Sequence, residues 1–264
     1  MLKRSMTWWK TYGVRLFHSV RHDVRQRYAG SYFGSLWAIL YPVALLAFYA
    51  TIYVVVFKVR LPNLATEHYT ILVMTGLCAI IVFGESLGAG VSVLTGQRGL
   101  LLNTVFPAEL LPPRAVLASQ VPALGALSVT SLAALLTGAA SPAALVVVPL
   151  TWVLLIMFMM GLVWVLSLLS LLVRDIAQAV GIINMAVMVL SPMAFTPDMV
   201  PPGLKFILLL NPMSYFILCL QAPLALGTWP PLSAFVGALV LGVGSFVAGL
   251  AFFRRARFIF VDYA

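Results

Sequence analysis

The chain has 264 residues, of which 62% are hydrophobic and 9% are charged, and its mean hydropathy is +1.07. This composition excludes a soluble globular domain and is typical of a polytopic membrane protein. The formal net charge of +9 does not indicate nucleic-acid binding, because seven of the sixteen basic residues lie in the first 27 positions, where anionic lipid headgroups or a cytoplasmic partner would explain them.

Residues 1–34 form a basic arm in front of the first apolar run. Within it, residues 7–28 are predicted to form an amphipathic helix along the cytoplasmic membrane surface, with Trp8 and Trp9 as anchors. A disordered basic tail is the alternative. No cleavable signal peptide is indicated, because the apolar run starts only near Ser35. The helix prediction depends on apolar side chains that recur at steps of four: Trp8, Tyr12, Leu16, Val20 and Val24.

Six runs are long enough to cross a bilayer, which requires about 20 apolar residues. An even number of crossings places both termini on one side of the membrane, together with thirteen of the sixteen basic residues. Because Lys and Arg near a span are retained in the cytoplasm, both termini are expected there. The predicted fold class is an all-α integral membrane protein, with a transmembrane domain over residues 35–264. Its six helices are predicted at residues 35–57, 69–94, 115–137, 144–173, 176–195 and 232–253.

The segment 203–226 is the ambiguous part of this topology, since it could be a seventh span. Asn211-Pro212 divides it into two runs that are each too short to cross alone. A seventh span would also move the arginines of the C-terminal tail to the outer side. We therefore expect two re-entrant half-helices between spans five and six, dipping in from the outer face and packed in protein.

The loop between the second and third spans reads GQRGLLLNTVFPAELLPPRA. Pro107 suits the first position of a helix, and Pro112-Pro113 are predicted to stop that helix after about one turn. Such a short helix would be a docking element for a cytoplasmic partner, and a plain connector is the equal alternative at this point. The side chains that it would present are Phe106, Glu109, Leu110 and Leu111.

Glu85 is an ionisable group deep in the second predicted span. Intramembrane carboxylates are functional hypotheses by default. No cation lies inside another predicted span to pair with it, so it would either face the transport pathway or be satisfied by a local hydrogen bond. Cys78 and Cys219 lie in apolar stretches without metal-ligand spacing, and they indicate small buried hydrophobic side chains.

Aromatic residues of the first and fourth spans could line a path across the membrane, because an aromatic ring offers an apolar face and a tyrosine adds a hydroxyl for a passing cargo. Ordinary packing is the alternative for each of them. Trp37 and Trp152 are instead predicted to be interfacial anchors. The pathway candidates are Tyr41, Tyr49, Tyr53, Glu85 and Trp164.

Four stretches, in order along nearly the whole chain, resemble ABC transporter type-2 permeases that export bacterial cell-surface polysaccharides. They are RHDVRQRYAGSYFGSLWAILYP from Arg21, NTVFPAELLP from Asn103, VRDIAQAV with the later LSPMAF, and LLNPMSYFI around Asn211. Two positions depart from the family pattern: Gln221 stands where an arginine is frequent, and Tyr41 replaces a common glutamine. The residues on the pattern are Asp23, Arg27, Tyr28, Gly34, Leu36, Trp37, Pro42, Arg174, Asp175, Ser191, Pro192, Asn211 and Pro212.

The resemblance implies a half-transporter, in which two copies form a channel and two copies of a separate ATPase bind beneath it. The chain contains no Gly-Lys dipeptide and hence no GxxxxGK[ST] phosphate-binding loop, so ATP and Mg²⁺ would be bound by the partner and no cofactor or metal by this chain. The family roles fall on three groups. The interface helix would include Arg21, Asp23, Arg25, Arg27 and Tyr28; the coupling helix Asn103, Phe106, Pro107, Glu109, Leu110, Leu111 and Pro112; and the outer gate Asn211, Pro212 and Tyr215.

The function that the resemblance implies is export of a lipid-linked polysaccharide across the bacterial inner membrane, with capsule favoured over O-antigen and teichoic acid. The expected partners are a second copy, the ATPase, the lipid-linked substrate, and periplasmic or outer-membrane export proteins. A secondary transporter would show internal repeats and mid-membrane ion ligands, and no repeat is found. A membrane lipid or sugar transferase would need clustered catalytic groups, whereas His18, His22 and His68 are split between the arm and a loop.

Overall fold

The computed structural model describes residues 2–56, 58, 64–96 and 108–256, without the side chains of residues 2–12 and of Asp198. The described part contains helices and no β-strand, which confirms the predicted all-α class. The α-helices are α1 (Leu2–Arg27), α2 (Trp37–Thr51), α3 (Thr66–Val91), α4 (Val93–Gly96), α5 (Leu111–Leu136), α6 (Ala144–Leu172), α7 (Ile176–Leu190), α8 (Lys205–Leu210), α9 (Pro212–Ala225) and α10 (Leu232–Ala256).

Five helical segments of the described residues are long and apolar enough to cross a membrane, or six if α8 and α9 are counted together as one bent span. The helix α7 is shorter, with 15 residues, which at helical rise is about 22 Å. The five segments are Gly34–Val56, Thr66–Val91, Ala108–Leu136, Ala144–Leu172 and Leu232–Ala256.

The core lies where α3, α6 and α9 meet. The ring of Phe158 on α6 stacks on Phe83 of α3, with centroids 6.1 Å apart, and lies 5.2 Å from the ring of Phe216 on α9. The helix α3 is central, since 72% of its most apolar stretch is buried, against 17% for α10. Both cysteines are buried, as predicted. The middle of a single chain is therefore filled by side chains.

Glycines set the close approach of α6 and α10. A Cβ added at Gly242 would lie 2.8 Å from the Leu154 carbonyl oxygen, and one added at Gly161 or Gly249 would collide with the backbone of the facing helix. In lipid there is little hydrophobic force between helices, so such backbone-to-backbone packing supplies much of the attraction.

The end of α1 and the end of α10 lie at the same end of the bundle, which we call the arm end. Asp23, near the end of α1, binds Arg114 in the first turn of α5. Arg254, near the end of α10, lies 3.3 Å from Glu109, just before α5. Because α1 and the end of α10 both reach the start of α5, the chain crosses the bundle an even number of times.

The opposite end, which we call the far end, includes the start of α3 and the turn between α5 and α6. The chain leaves α7 there, where the Tyr69 hydroxyl donates to the Ala194 carbonyl at 3.0 Å. It is still there when α9 ends, since the Ser141 amide donates to the Pro223 carbonyl at 2.9 Å. Between these points the segments Pro202–Leu210 and Pro212–Ala225 are bent by 97°. The predicted re-entrant pair is therefore present, because this segment enters and leaves at one end.

Two predicted boundaries are wrong. The helix α5 begins at Leu111 and continues through Pro112-Pro113 to Leu136, so these prolines do not stop a helix. Proline is tolerated in a first turn because the N–H groups there have no intrahelical acceptor. The helix α7 ends at Leu190, not at residue 195, and Ser191 is extended with ψ 144°, because the residue before a proline is disfavoured in the helical region.

Candidate functional site

The arm is attached to the bundle through Asp23. The guanidinium of Arg114 donates through Nε and Nη2 to the two carboxylate oxygens of Asp23. Arg114 lies in the first turn of α5 and is only 8% exposed. Two parallel charge-assisted hydrogen bonds fix both the distance and the plane of the pair. Asp23 is therefore a structural anchor of the arm.

Glu85 pairs with a cation of the arm, which lies outside the predicted spans. The Arg27 Nη1 lies 3.5 Å from the Glu85 Oε2. The prediction considered only cations inside other spans, whereas Arg27 belongs to α1 and reaches α3 from outside the bundle. Both side chains keep partial exposure, 42% and 29%. Glu85 thus belongs to the attachment of the arm.

Glu109 is held from two sides by its own chain. Its Oε2 accepts a hydrogen bond from the Arg254 Nε at 3.3 Å, and its backbone carbonyl accepts one from the Trp164 Nε1 at 3.0 Å. These contacts join the start of α5 to α6 and α10. The described part of the predicted coupling segment is therefore fastened to the bundle.

The predicted docking face has a different geometry from the one expected. Leu110, Leu111 and Pro112 are buried instead of being presented to a partner, because α5 begins here and packs against α6 and α10. Asn103, Phe106 and Pro107, the other residues of that prediction, lie outside the described residues.

The predicted pathway aromatics lie in two separate clusters. Tyr49 and Tyr53 of the first span are half-buried against the main core, and Tyr41 is exposed on α2. Trp164 is buried in a second cluster at the arm end, with its ring 5.2 Å from that of Phe246 on α10. A single chain thus does not join them into one ladder. Trp152 is also buried in the core, so the prediction of an interfacial anchor is wrong there.

A cleft of about 490 Å³ separates part of α1 from the bundle at the arm end. A second cavity, of about 310 Å³, lies beside it across Ser92 and includes Arg174 of the VRDIAQAV stretch. The larger cleft is lined by Asp23, Val24, Gln26, Arg27, Ala89, Ser92, Val93, Gly96, Ala115 and Ala118.

At the far end, Asn211 joins two of the stretches that carried the family resemblance. Its Nδ2 donates to the Ser191 Oγ at 2.8 Å, and its Oδ1 caps α9 by accepting from the Met213 amide at 3.0 Å. Asparagine is a preferred N-cap residue, and Pro212 suits the first helical position that follows. The Tyr215 hydroxyl donates to the Leu209 carbonyl at 2.9 Å, which closes the bend between α8 and α9.

Gln221 is a central residue that the sequence analysis recorded only as a departure from the family pattern. Its Nε2 lies 3.1 Å from the Leu72 carbonyl oxygen, 3.0 Å from that of Pro192 and 3.3 Å from that of Met193. The side chain is 2% exposed. One amide group therefore connects α9 to α3 and to the chain that leaves α7. A polar residue in an apolar helix was the available signal.

The fold and this arrangement define a polytopic α-helical membrane protein with a polar arm and a re-entrant pair. Residues 15–224 match the ABC-2 type transporter family, and the chain belongs to that family. The match begins within α1 and ends within α9, so it includes Asp23 and Arg27 of the arm, Arg114 of α5 and Asn211 at the far end.

Three relatives carry the same printed name, O-antigen export system permease protein RfbA. The one from Myxococcus xanthus is 26% identical over 211 residues, which is 78% of this chain and 78% of the relative. Two from Klebsiella pneumoniae are 24% and 26% identical over 245 and 243 residues, and each alignment covers 91% of both chains.

Proposed function

We propose that this chain is the permease subunit of an ATP-driven exporter that moves lipid-linked O-antigen polysaccharide across the bacterial inner membrane. The observation that carries the proposal is the similarity to O-antigen export permeases over 91% of both chains. These relatives do not support the capsule preference of the sequence analysis, and the O-antigen alternative fits them better. Capsule and teichoic acid are the alternative cargoes that the deletion experiment below distinguishes from O-antigen.

The energy for transport comes from a separate subunit in this proposal. The sequence has no phosphate-binding GxxxxGK[ST] loop, and the family is one of transport subunits. A partner ATPase would therefore bind ATP and Mg²⁺. The arm end is the proposed contact surface, since it brings α1 and the start of α5 together. The resemblance assigns coupling to residues 103–113, and the described part of that segment, residues 108–113, lies at this end.

The arm end faces the cytoplasm in this proposal. The basic residues concentrate there, including Arg21, Arg25, Arg114 and Arg254, whereas among the described residues the far end carries Lys58 and Lys205. Retention of basic residues in the cytoplasm favours this orientation. Both chain ends would then be cytoplasmic, and the re-entrant pair with Asn211, Pro212 and Tyr215 would lie toward the periplasm.

The pathway runs between two copies of the chain in this proposal. The rings of Phe83, Phe158 and Phe216 fill the middle of one copy, which leaves no room there for a polymer. Two elements offer unpartnered apolar faces: α2 with Tyr41, and α7, where Val180 is the buried residue. These faces suit contact with a second copy and with the substrate, and Tyr41 is the aromatic candidate best placed to meet the polymer.

A deletion strain tests the cargo. Loss of the gene should remove O-antigen from the cell surface and cause lipid-linked O-antigen to accumulate in the inner membrane, with restoration by the intact gene. A normal O-antigen ladder combined with loss of capsule or of teichoic acid would show that the lost polymer, not O-antigen, is the cargo.

Purification in detergent tests the energy source of transport. An ATPase subunit should co-purify with the chain, and ATP hydrolysis should appear only in the complex.

Glu109→Lys probes the coupling segment, because it breaks the pair with Arg254 without touching the buried core. We expect export and ATPase co-purification to fall while the membrane level stays normal. Leu110→Asp is unsuitable as a docking probe, since Leu110 is buried and the substitution would disturb folding. Transport by the isolated chain without any nucleotide-hydrolysing partner would contradict the proposed function.

A further inference from the structure

We propose that Asp23 and Arg27 are positioning residues, which fix the register of the arm against the bundle through two ion pairs of opposite polarity. Both residues lie on α1, four positions apart, and therefore one above the other on the same helix face. Asp23 binds Arg114 of α5, and Arg27 lies 3.5 Å from Glu85 of α3. The arm thus offers an anion to one helix and a cation to another.

Apolar packing does not by itself fix this register. Among the arm side chains that the structure describes, residues 13–27, none is buried. Leu16, Val20 and Val24 of the predicted apolar row are only partly covered, and the cleft of about 490 Å³ lies between α1 and the helices beneath it. An incompletely packed apolar row tolerates sliding, whereas the bidentate hydrogen bonds of Asp23 with Arg114 do not. The contact of Arg27 with Glu85 adds a second charge requirement.

The crossed polarity excludes a slip of one turn in either direction. Moving α1 by four residues one way would place Arg27 beside Arg114, with two cations in contact. Moving it the other way would place Asp23 beside Glu85, with two carboxylates in contact. Like-charge contacts are an effective device against alternative arrangements. Each slip would also leave the nine-tenths-buried Arg114 without its present anionic partner.

The pairs also decide which parts of the chain move together. Arg114 lies within one turn of the start of α5, and Glu109 just before it is tied to α6 and α10. A displacement of α5 at the arm end must therefore carry Asp23 with it, and Arg27 then transmits the movement to Glu85. The arm, the start of α5 and the last two turns of α3 therefore move together as long as both pairs are formed.

Thiol crosslinking in the membrane measures this register without requiring transport. Val24 on α1 and Ala118 on α5 line the same cleft. In a background with Cys78→Ala and Cys219→Ala, the double variant Val24→Cys/Ala118→Cys is treated with a short bifunctional thiol reagent. We expect efficient crosslinking, a reduction of about tenfold with Arg114→Asp, and recovery to within about twofold when Asp23→Arg is added, because the swap restores the pair with its polarity reversed.

Arg25→Asp is the matched control for Arg27→Asp, since it makes the same charge change two residues away on an exposed position. Arg27→Asp should reduce crosslinking, and Arg25→Asp should leave it unchanged. Asp23→Asn, a mild change on the partly exposed arm, serves if Arg114→Asp does not accumulate in the membrane. It should lower crosslinking in the same direction.

Two outcomes would overturn the inference: crosslinking that is unaffected by Asp23→Asn and Arg27→Asp, or crosslinking that is equally reduced by Arg25→Asp. The result is independent of the proposed function. Charge-dependent crosslinking in a protein that exports no polysaccharide would refute the cargo and leave the positioning role intact. Export that is lost in the single variants and returns in the Asp23→Arg/Arg114→Asp swap would show that export depends on the register of the arm.

Discussion

At the arm end, helices are joined by charged side chains such as Asp23 with Arg114, whereas at the far end they are joined by neutral amides and hydroxyls such as Gln221 and Tyr69. Ion pairs depend on salt, on charge sign and on the partner, so they can be released and formed again. A buried amide bound to backbone carbonyls has no alternative partner in a dry interior. The comparison indicates that the helix contacts at the arm end can be released and formed again, whereas those at the far end are permanent.

The largest effect is expected from a charge placed in the neutral far end. Gln221→Glu keeps the size of the side chain but directs carboxylate oxygens at the carbonyls of Leu72, Pro192 and Met193. The three carbonyls lose their hydrogen-bond donor, and the buried carboxylate faces only acceptors. We therefore expect the free energy of unfolding to fall by about 3 kcal/mol. Thermal unfolding of the detergent-purified protein measures it. Gln221→Leu, which removes the donor without adding charge, is the control and should cost less.

At the arm end, Arg114→Gln should destabilise the protein by about 2 kcal/mol, since it leaves the Asp23 carboxylate without its bidentate partner. The loss should appear locally, as faster hydrogen exchange in α1, with the exchange of α9 unchanged. Equal acceleration in both helices would show that the two ends are one cooperative unit, and it would remove the distinction drawn here.

A change in ionic strength should distinguish the arm end from the far end more clearly than any substitution, because among the described residues only the arm end is joined by charged side chains. Raising ionic strength from about 0.05 M to about 1 M shortens the screening length severalfold, which weakens the partly exposed pair of Arg27 with Glu85. We expect faster exchange in α1 and no change in α9, where Gln221 and Asn211 make neutral contacts. A response of α9 to salt of the same size would contradict the comparison.

A smaller effect is expected at the surface of the arm end. Arg254→Ala removes an exposed ion pair with Glu109 and should cost less than about 1 kcal/mol. Trp164→Phe removes the buried N–H that binds the Glu109 carbonyl and also reduces packing against Phe246, so it should cost more. Unfolding midpoints of the two variants in the same detergent give the order.

The smallest effect is expected from Tyr215→Phe, which removes one hydroxyl from the bend at the far end. That hydroxyl makes a single hydrogen bond, to the carbonyl of the exposed residue Leu209. The expected cost is about 0.5 kcal/mol. Asn211→Ala is the comparison variant at the same bend. It removes both the α9 cap and the bond to Ser191, and it should cost clearly more.

Several parts of this architecture follow from local sequence. Apolar length predicts the long helices, and the apolar row of the arm predicts α1. The Asn211-Pro212 break and the distribution of charge predict that the segment between α7 and α10 returns to the end that it entered. The same residues cap α9 and form its first turn. These predictions succeeded because each depends on short-range chemistry that needs no knowledge of neighbouring helices.

Other features were decided by contacts between distant residues. Glu85 receives a cation that is 58 positions earlier in the chain, at Arg27. Pro112-Pro113 begin a long helix instead of ending a short one, because the packing of α5 determines where it starts. The role of Gln221 depends on carbonyls that α3 and the end of α7 bring to it.

Composition, periodicity and charge in the amino-acid sequence sufficed to identify a membrane protein and to predict an even number of crossings. Four sequence stretches, from Arg21 to the region around Asn211, carried the resemblance to polysaccharide export permeases. Only the tertiary structure decided which charges meet and which prolines and amides matter. The physical reason is that a helix in lipid satisfies its own backbone, while its polar side chains must find partners on other helices. Sequence spacing specifies the helix, and three-dimensional packing specifies the partner.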